Sequence, residues 1–176
     1  PSSFLYRQAW HPSVPLKVSF FVLRLLRNRL SLDDVLASYG FQLPSKCSCC
    51  LIPQTESLGH LFANGGLAAE VWKFFGSVCG VHLNAVHVRG ILGSWWLRRV
   101  NSERLKLVFQ ILSSLICWHI WKARNKAIFQ GSGVNPATVY RDIFRDLKDV
   151  YGLVFLELHQ VWDWPTFFER VEHHPD

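Results

Sequence analysis

Apolar residues recur along this chain mostly at helical intervals, and glycines and prolines cut them into blocks. Residues 1–14 hold no periodic run, and Pro12 and Pro15 act as breakers, so this stretch reads as irregular. From Leu16 to Leu30 the sequence LKVSFFVLRLLRNRL reads as a helix, with Leu16, Phe20, Leu23, Arg27 and Leu30 at helical spacing. The run is apolar nearly all round, which suits a helix buried on more than one face. Val and Phe also favour sheets, so a strand over 18–23 is the competing reading. Ser31 and Asp34 stand at capping-box spacing and Gly40 suits a left-handed stop, which predicts a short helix over 32–39.

Residues 41–65 read as a loop, carrying Pro44, Pro53 and Gly59. LAAEVWKFFGSV (67–78) predicts a third helix with Leu67, Val71, Phe75 and Val78 on one face. Gly80, Gly90 and Gly93 limit any element in 79–100, where GILGSWW is a short helix or a turn. The longest helical segment is 102–129, with Leu105, Val108, Leu112, Leu115, Ile116 and Ile120 in one stripe that Trp118, Trp121, Arg124, Asn125 and Phe129 extend. GSGVNP breaks the chain, and Asn135 as N-cap with Pro136 at the first position starts a last helix. Val139, Ile143, Leu147, Val150 and Val154 make its apolar face, and Arg145 can pair with Asp142 and Asp149 on the other. The tail around Trp162, Trp164 and Pro165 gives no clear element. The fold class is therefore mainly α: a small helical domain with a Cys/His loop between its second and third predicted helices, then a long helix and a C-terminal helix.

Composition supports a packed core. The chain has 176 residues, 49% hydrophobic and 14% aromatic, which excludes a disordered chain. The longest apolar stretch, residues 107–121, is interrupted by Gln110, Ser113, Ser114 and His119, and falls short of the ~20 apolar residues a spanning helix needs. Trp72, Trp118 and Trp121 sit at helical spacing and read as core. The chain has no Met and starts on Pro1, so it reads as a fragment of a longer product or a trimmed reading frame.

Lys plus Arg number 19 against 13 Asp plus Glu, a net charge of +6. This fits an ordinary basic domain or one drawn to DNA or RNA. No block of five like charges occurs, so any basic face is assembled by folding. Arg24, Arg27, Arg29, Lys122, Arg124 and Lys126 are the pool for nucleic-acid contacts. For Arg124 and Asn125, near a helix end, helix capping is the alternative role.

The five cysteines are Cys47, Cys49, Cys50, Cys79 and Cys117. An odd count with adjacent members does not resemble a secreted disulfide framework and points to an intracellular, reducing compartment. Cys47 and Cys50 form a C-x-x-C turn, which aims two sulfurs at one point, and His60 follows from a separate segment. A second pair of the form H-x4-C would need a cysteine at 65, where Gly65 stands. The fourth zinc ligand is then Cys49, a residue folding back from beyond the third helix (Cys79 or His82), or water; otherwise the site is a relic. A water ligand would suit a zinc hydrolase. The loop offers no carboxylate pattern for that beyond Glu56, which reads as a loop or cap residue.

Taken in order, Pro15, Lys17 and Phe21; Arg29, Leu30 and Leu36; Cys47 and Cys50; Glu56, Ser57, His60 and Phe62; Ala68 and Trp72; and Trp118, Trp121, Arg124, Asn125 and Phe129 form a series. That series resembles the reverse transcriptase zinc-binding domain of plant LINE-type (non-LTR) retrotransposon polyproteins. The likeness spans residues 10–130 and leaves 131–176, the C-terminal helix and tail, weakly matched. It implies a helical domain between reverse transcriptase and RNase H regions, a zinc ion, and a grip on DNA or RNA during copying. It implies a nuclear or cytoplasmic setting and no membrane. The family's usual fourth ligand falls at Gly65. No paired aspartates of the polymerase type and no spaced acidic set of the RNase H type occur, and the carboxylates of RDIFRDLKD (141–149) sit on a solvated helix face. The expectation is a non-catalytic accessory domain, or else a metal-free helical remnant that binds other proteins.

Overall fold

The structure, a computed structural model, describes residues 2–43, 46–52, 54–82, 87–155, 161 and 163–174. The breakers Pro44 and Pro53 and the tail residue Trp162 lie outside them. The described elements are α1 (Ser2–Gln8), α2 (Leu16–Leu26), α3 (Asp33–Ser38), a π-helical turn (His60–Asn64), α4 (Gly66–Val78), α5 (Val88–Trp96), α6 (Glu103–Gln130), α7 (Pro136–Val154) and α8 (Trp164–His173). No strand occurs among the described residues, so the strand reading of 18–23 gives way to helix.

The long helix α6 is the axis of the fold, with α2, α4, α5, α7 and α8 packed on it. Ser102 caps its start by accepting the Leu105 N–H, and Gly131 ends it at φ 62°, where a Cβ would be strained. The expected stripe is buried as far as Ile120, but so is nearly everything between Arg104 and Cys117, and Phe129 at its far end is exposed. Gln110, Ser113, Ser114 and His119, the polar residues that interrupt the apolar run, are each satisfied. Ser113 and Ser114 donate to the carbonyls of Phe109 and Gln110 within the helix. Gln110 donates to the Gln8 carbonyl at 3.0 Å, tying α1 to the core. His119 Nε2 meets Asp146 Oδ2 at 2.8 Å, tying α6 to α7. Left unpaired, each buried group would cost about 1–3 kcal/mol.

Helix α7 starts as its sequence dictates: the Asn135 side chain accepts the Ala137 N–H at 2.9 Å, ahead of Pro136. Val139, Ile143, Leu147 and Val150 face the core, while Val154 is exposed. Arg145 pairs with Asp142 and Asp146 rather than with Asp149. Two helices went unread in the sequence. Helix α1 lies in the stretch expected to be irregular. Helix α8 lies in the tail, where Asp163 accepts the Thr166 N–H at 2.9 Å and Phe167, Phe168 and Val171 are buried. Trp164 and Phe167 join Phe75 of α4 and Phe144 and Tyr151 of α7 in one aromatic cluster, each pair adding about 0.5–1.5 kcal/mol beyond burial. One core thus runs from Ala9 to Val171, across the boundary expected at residue 130.

Three local readings of the N-terminal part are corrected. Helix α2 ends at Leu26, not Leu30, because Asn28 takes a left-handed φ of 55° and Arg89 of α5 donates to the Leu26 carbonyl. Its buried face is Val18, Phe21, Val22, Leu25 and Leu26; Leu16 and Phe20 are 63% and 53% exposed. The Ser31–Asp34 capping box does not form. Helix α3 starts at Asp33 after a buried Leu32, and Asp34 instead accepts the Val35 N–H. Gly40 does close α3 at φ 88°.

Candidate metal centre

Two short segments build the site. The first is the loop from Cys47, closed on itself by the Cys47 N–H donating to the Gln54 carbonyl at 2.8 Å. The second begins at Ser57, whose hydroxyl accepts the His60 N–H at 3.1 Å. His60 opens the π-helical turn, which the Gly65 N–H closes on the His60 carbonyl at 2.7 Å. Such turns reorient a side chain within a helix and frequently mark functional positions. Trp72 Nε1 donates to the Phe62 carbonyl at 2.8 Å and fixes the turn to α4.

The result brings together the expected triad. The sulfurs of Cys47 and Cys50 and a ring nitrogen of His60 lie within 4.8 Å of one another, with Cys50 Sγ 3.1 Å from His60 Nε2. Ligands of tetrahedral zinc, with bonds of about 2.0–2.3 Å, sit roughly 3.3–3.8 Å apart, so small adjustments would admit the ion. The donor set is also the right one, two thiols and an imidazole, on a buried to half-buried floor.

The electrostatics favour thiolate at Cys47. The Cys49 thiol and, against the opposing effect of burial, the Cys49 N–H and the Cys50 thiol donate to Cys47 and pull it down to about 5. Cys49 is correspondingly raised, because it gives that hydrogen bond and is buried. Burial pushes Cys50 up, and the N–H groups of Gly66 and Leu67 oppose it. Those are the first two amides of α4, so the positive end of a 13-residue helix faces the cluster.

The fourth-ligand readings separate. Cys79 caps the far end of α4, an unbroken helix of 13 residues and therefore about 20 Å long. It sits in the field of Arg98 and Glu172, and burial pushes it up to about 12. His82 lies three residues further on and is exposed. Neither joins the ligand cluster among the described residues. Cys49 does adjoin it, through Cys47. Gly65 touches the site as well: a Cβ there would overlap the His60 carbonyl and lie 3.1 Å from His60 Nε2. Glycine at 65 is thus a requirement of space, since its φ of −67° is open to any residue.

Glu56 does lie in the loop, but its side chain caps no helix. It is fully buried and takes a bidentate pair from Arg124, whose Nε lies 3.1 Å from Oε2. Asp33 adds a second carboxylate 3.6 Å from the same guanidinium, and burial, then Glu56, raises its pKa against the pull of Arg124. Arg124 is 5% exposed and lies over the Trp121 ring. It serves the core, not nucleic acid or a helix end, because both faces of its fork are taken. Trp121 and Trp118 pack on Phe21, and Trp121 stacks on Phe62. The motif pieces scattered along the chain therefore meet behind the Cys/His loop. Among the remaining basic residues, Arg24, Arg27 and Arg29 are exposed along one groove. Lys122 and Lys126 are exposed in another, between α6 and α7.

No curated protein and no solved structure matches the chain. The part that carries all three candidate ligands is nonetheless recognisable: residues 1–72 match the model of a family described as zinc-binding in reverse transcriptase.

Proposed function

We propose that this chain is a zinc-holding, non-catalytic accessory domain of a plant LINE-type reverse transcriptase polyprotein, and that it contacts DNA or RNA alongside the polymerase and RNase H regions. One observation carries the reading: Cys47, Cys50 and His60, from two segments, converge within 4.8 Å inside the stretch that matches the zinc-binding family. Bound zinc would supply a cross-link between the Cys loop and the π-helical turn, adding metal-binding energy to folding. Cys47, Cys50 and His60 would hold it, with Cys49 or water in the fourth position. The exposed basic residues supply the attraction to nucleic acid. A nuclear or cytoplasmic setting follows from this reading. Among the described residues no helix is long and apolar enough to cross a membrane.

The test is elemental analysis of the purified, reduced protein beside Cys47→Ser and His60→Ala. About one zinc per chain, lost in both variants, is expected for a single tetrahedral site. Folded wild-type protein without zinc would overturn the metal assignment and leave a helical packing module. For the second half of the proposal, affinity for DNA or RNA should fall steeply with salt. Absence of binding at low salt would refute it.

A further inference from the structure

The exposed face of α2 is unlike an ordinary helix surface. Phe20 is 53% exposed and Trp10, from the turn before α2, is 45% exposed, and their rings meet edge to face at 5.0 Å. Both rings line a groove of about 520 Å³ with Leu23, Arg24, Arg27 and Arg29. Phe20, Arg24 and Arg27 follow one another at helical spacing. Arg29 joins them because the left-handed Asn28 turns the chain back, so that Arg24 Nε donates to the Arg29 carbonyl at 3.3 Å. No carboxylate lines this groove, and none of its three arginines forms an ion pair among the described residues.

We infer that this groove binds single-stranded nucleic acid, with bases stacked on Trp10 and Phe20 and phosphates held by Arg24, Arg27 and Arg29. The inference rests on the nucleic-acid half of the function proposed above and deepens it. Charge decides the occupant. Three guanidinium groups without a carboxylate partner among the described residues, Arg27 resting over the Tyr6 ring, beside two open rings suit a polyanion that also presents flat faces. A duplex offers the phosphates but keeps its bases stacked inside, so the rings would gain nothing from it. An apolar protein partner would leave the three guanidinium groups without counter-charges.

The experiment measures binding of the full chain to labelled polythymidine and polyuridine of about 16 nucleotides, the upper site size of one binding fold, and to a duplex of equal length, across a salt series. Single strands should bind more tightly than duplex. Trp10→Ala with Phe20→Ala should weaken single-strand binding roughly 5- to 150-fold per ring that stacks, without changing the salt slope. Arg24→Ala with Arg27→Ala and Arg29→Ala should flatten the slope of log affinity against log salt by about 2. Trp10→Tyr keeps a ring and should keep most of the affinity. Because both rings are half exposed, the aromatic variant should retain wild-type circular dichroism and melting. Equal affinity for duplex, or strand binding that neither groove variant alters, overturns the groove while leaving the broader function standing. Failure of wild type to bind any of the three probes sinks both. Self-association of the chain that the aromatic variant abolishes, without strand binding, makes the patch a protein interface and overturns the inference.

Discussion

Removing Arg124 should cost more stability than removing its partner Glu56, and the difference can be worked from the geometry. Arg124 stands between Glu56, fully buried, and Asp33, 3.6 Å away. Arg124→Met deletes the one cation and leaves the buried Glu56 carboxylate uncompensated beside the partly exposed one of Asp33. Breaking a buried pair this way costs about 3–5 kcal/mol, against a total stability of roughly 5–15 kcal/mol for a domain. Glu56→Gln keeps an acceptor for the guanidinium and leaves Asp33 as counter-charge. Its cost is that of weakened charged hydrogen bonds, about 1.5–3 kcal/mol. The double variant Glu56→Leu with Arg124→Met removes both buried charges, and such swaps are often neutral or stabilising. It should therefore recover most of the loss, with a coupling of at least about 2 kcal/mol when set against Glu56→Leu and Arg124→Met made singly. Urea unfolding followed by circular dichroism, with and without excess zinc, measures all of these. Glu56 lies four residues before His60, so both single variants should also weaken zinc binding. The reasoning fails if Arg124→Met costs under about 1 kcal/mol, or if the double variant costs the sum of the singles.

Three further outcomes are expected. Gly65→Ala would push a methyl into the His60 carbonyl, so it should lower stability by about 1–3 kcal/mol and reduce zinc content together; unchanged zinc stoichiometry and melting would contradict the crowding. His119 is held below its ordinary 6.5 by burial and then Lys122, against the pull of Asp146. The unfolded chain therefore takes up that proton first as pH falls below 6.5, and stability should drop by up to about 1.4 kcal/mol per pH unit until the folded pKa is passed. His11 is lowered by burial and Lys106 and adds in the same sense, so His119→Asn should reduce the slope of stability against pH without abolishing it; an unaltered slope would show that His119 is not the group. Asn135→Ala removes the cap of α7 and should cost about 1 kcal/mol in thermal or urea melts, with a loss under about 0.3 arguing that the cap is redundant with Pro136.

Local signals and tertiary decisions divide cleanly along this chain. The caps and stops of α7 and α3 were legible because Asn135, Pro136 and Gly40 act through their own backbone neighbours. The triad was legible because Cys47, Cys50 and His60 carry metal-ligand chemistry within 14 positions of one another. Helix α8 could have been found from Asp163, Pro165 and the spacing of Phe167, Phe168 and Val171, a cap and face like those of α7. The orientation of α2 could not, since a helix apolar all round does not say which side meets α6, and packing left Leu16 and Phe20 in solvent. Nor could the role of Glu56, whose partner Arg124 lies 68 positions away; only the folded chain brings the two together. The same holds for Cys79, excluded as a ligand by the length of α4, and for Gly65, whose proximity to His60 is set by the π-helical turn. Sequence alone determined the helices that carry their own caps and the chemistry of the Cys/His loop, because both depend on residues near in the chain. Which faces are buried, which charges are spent inside and which remain for a partner were decided by tertiary packing, because burial and pairing depend on distances the chain order does not contain.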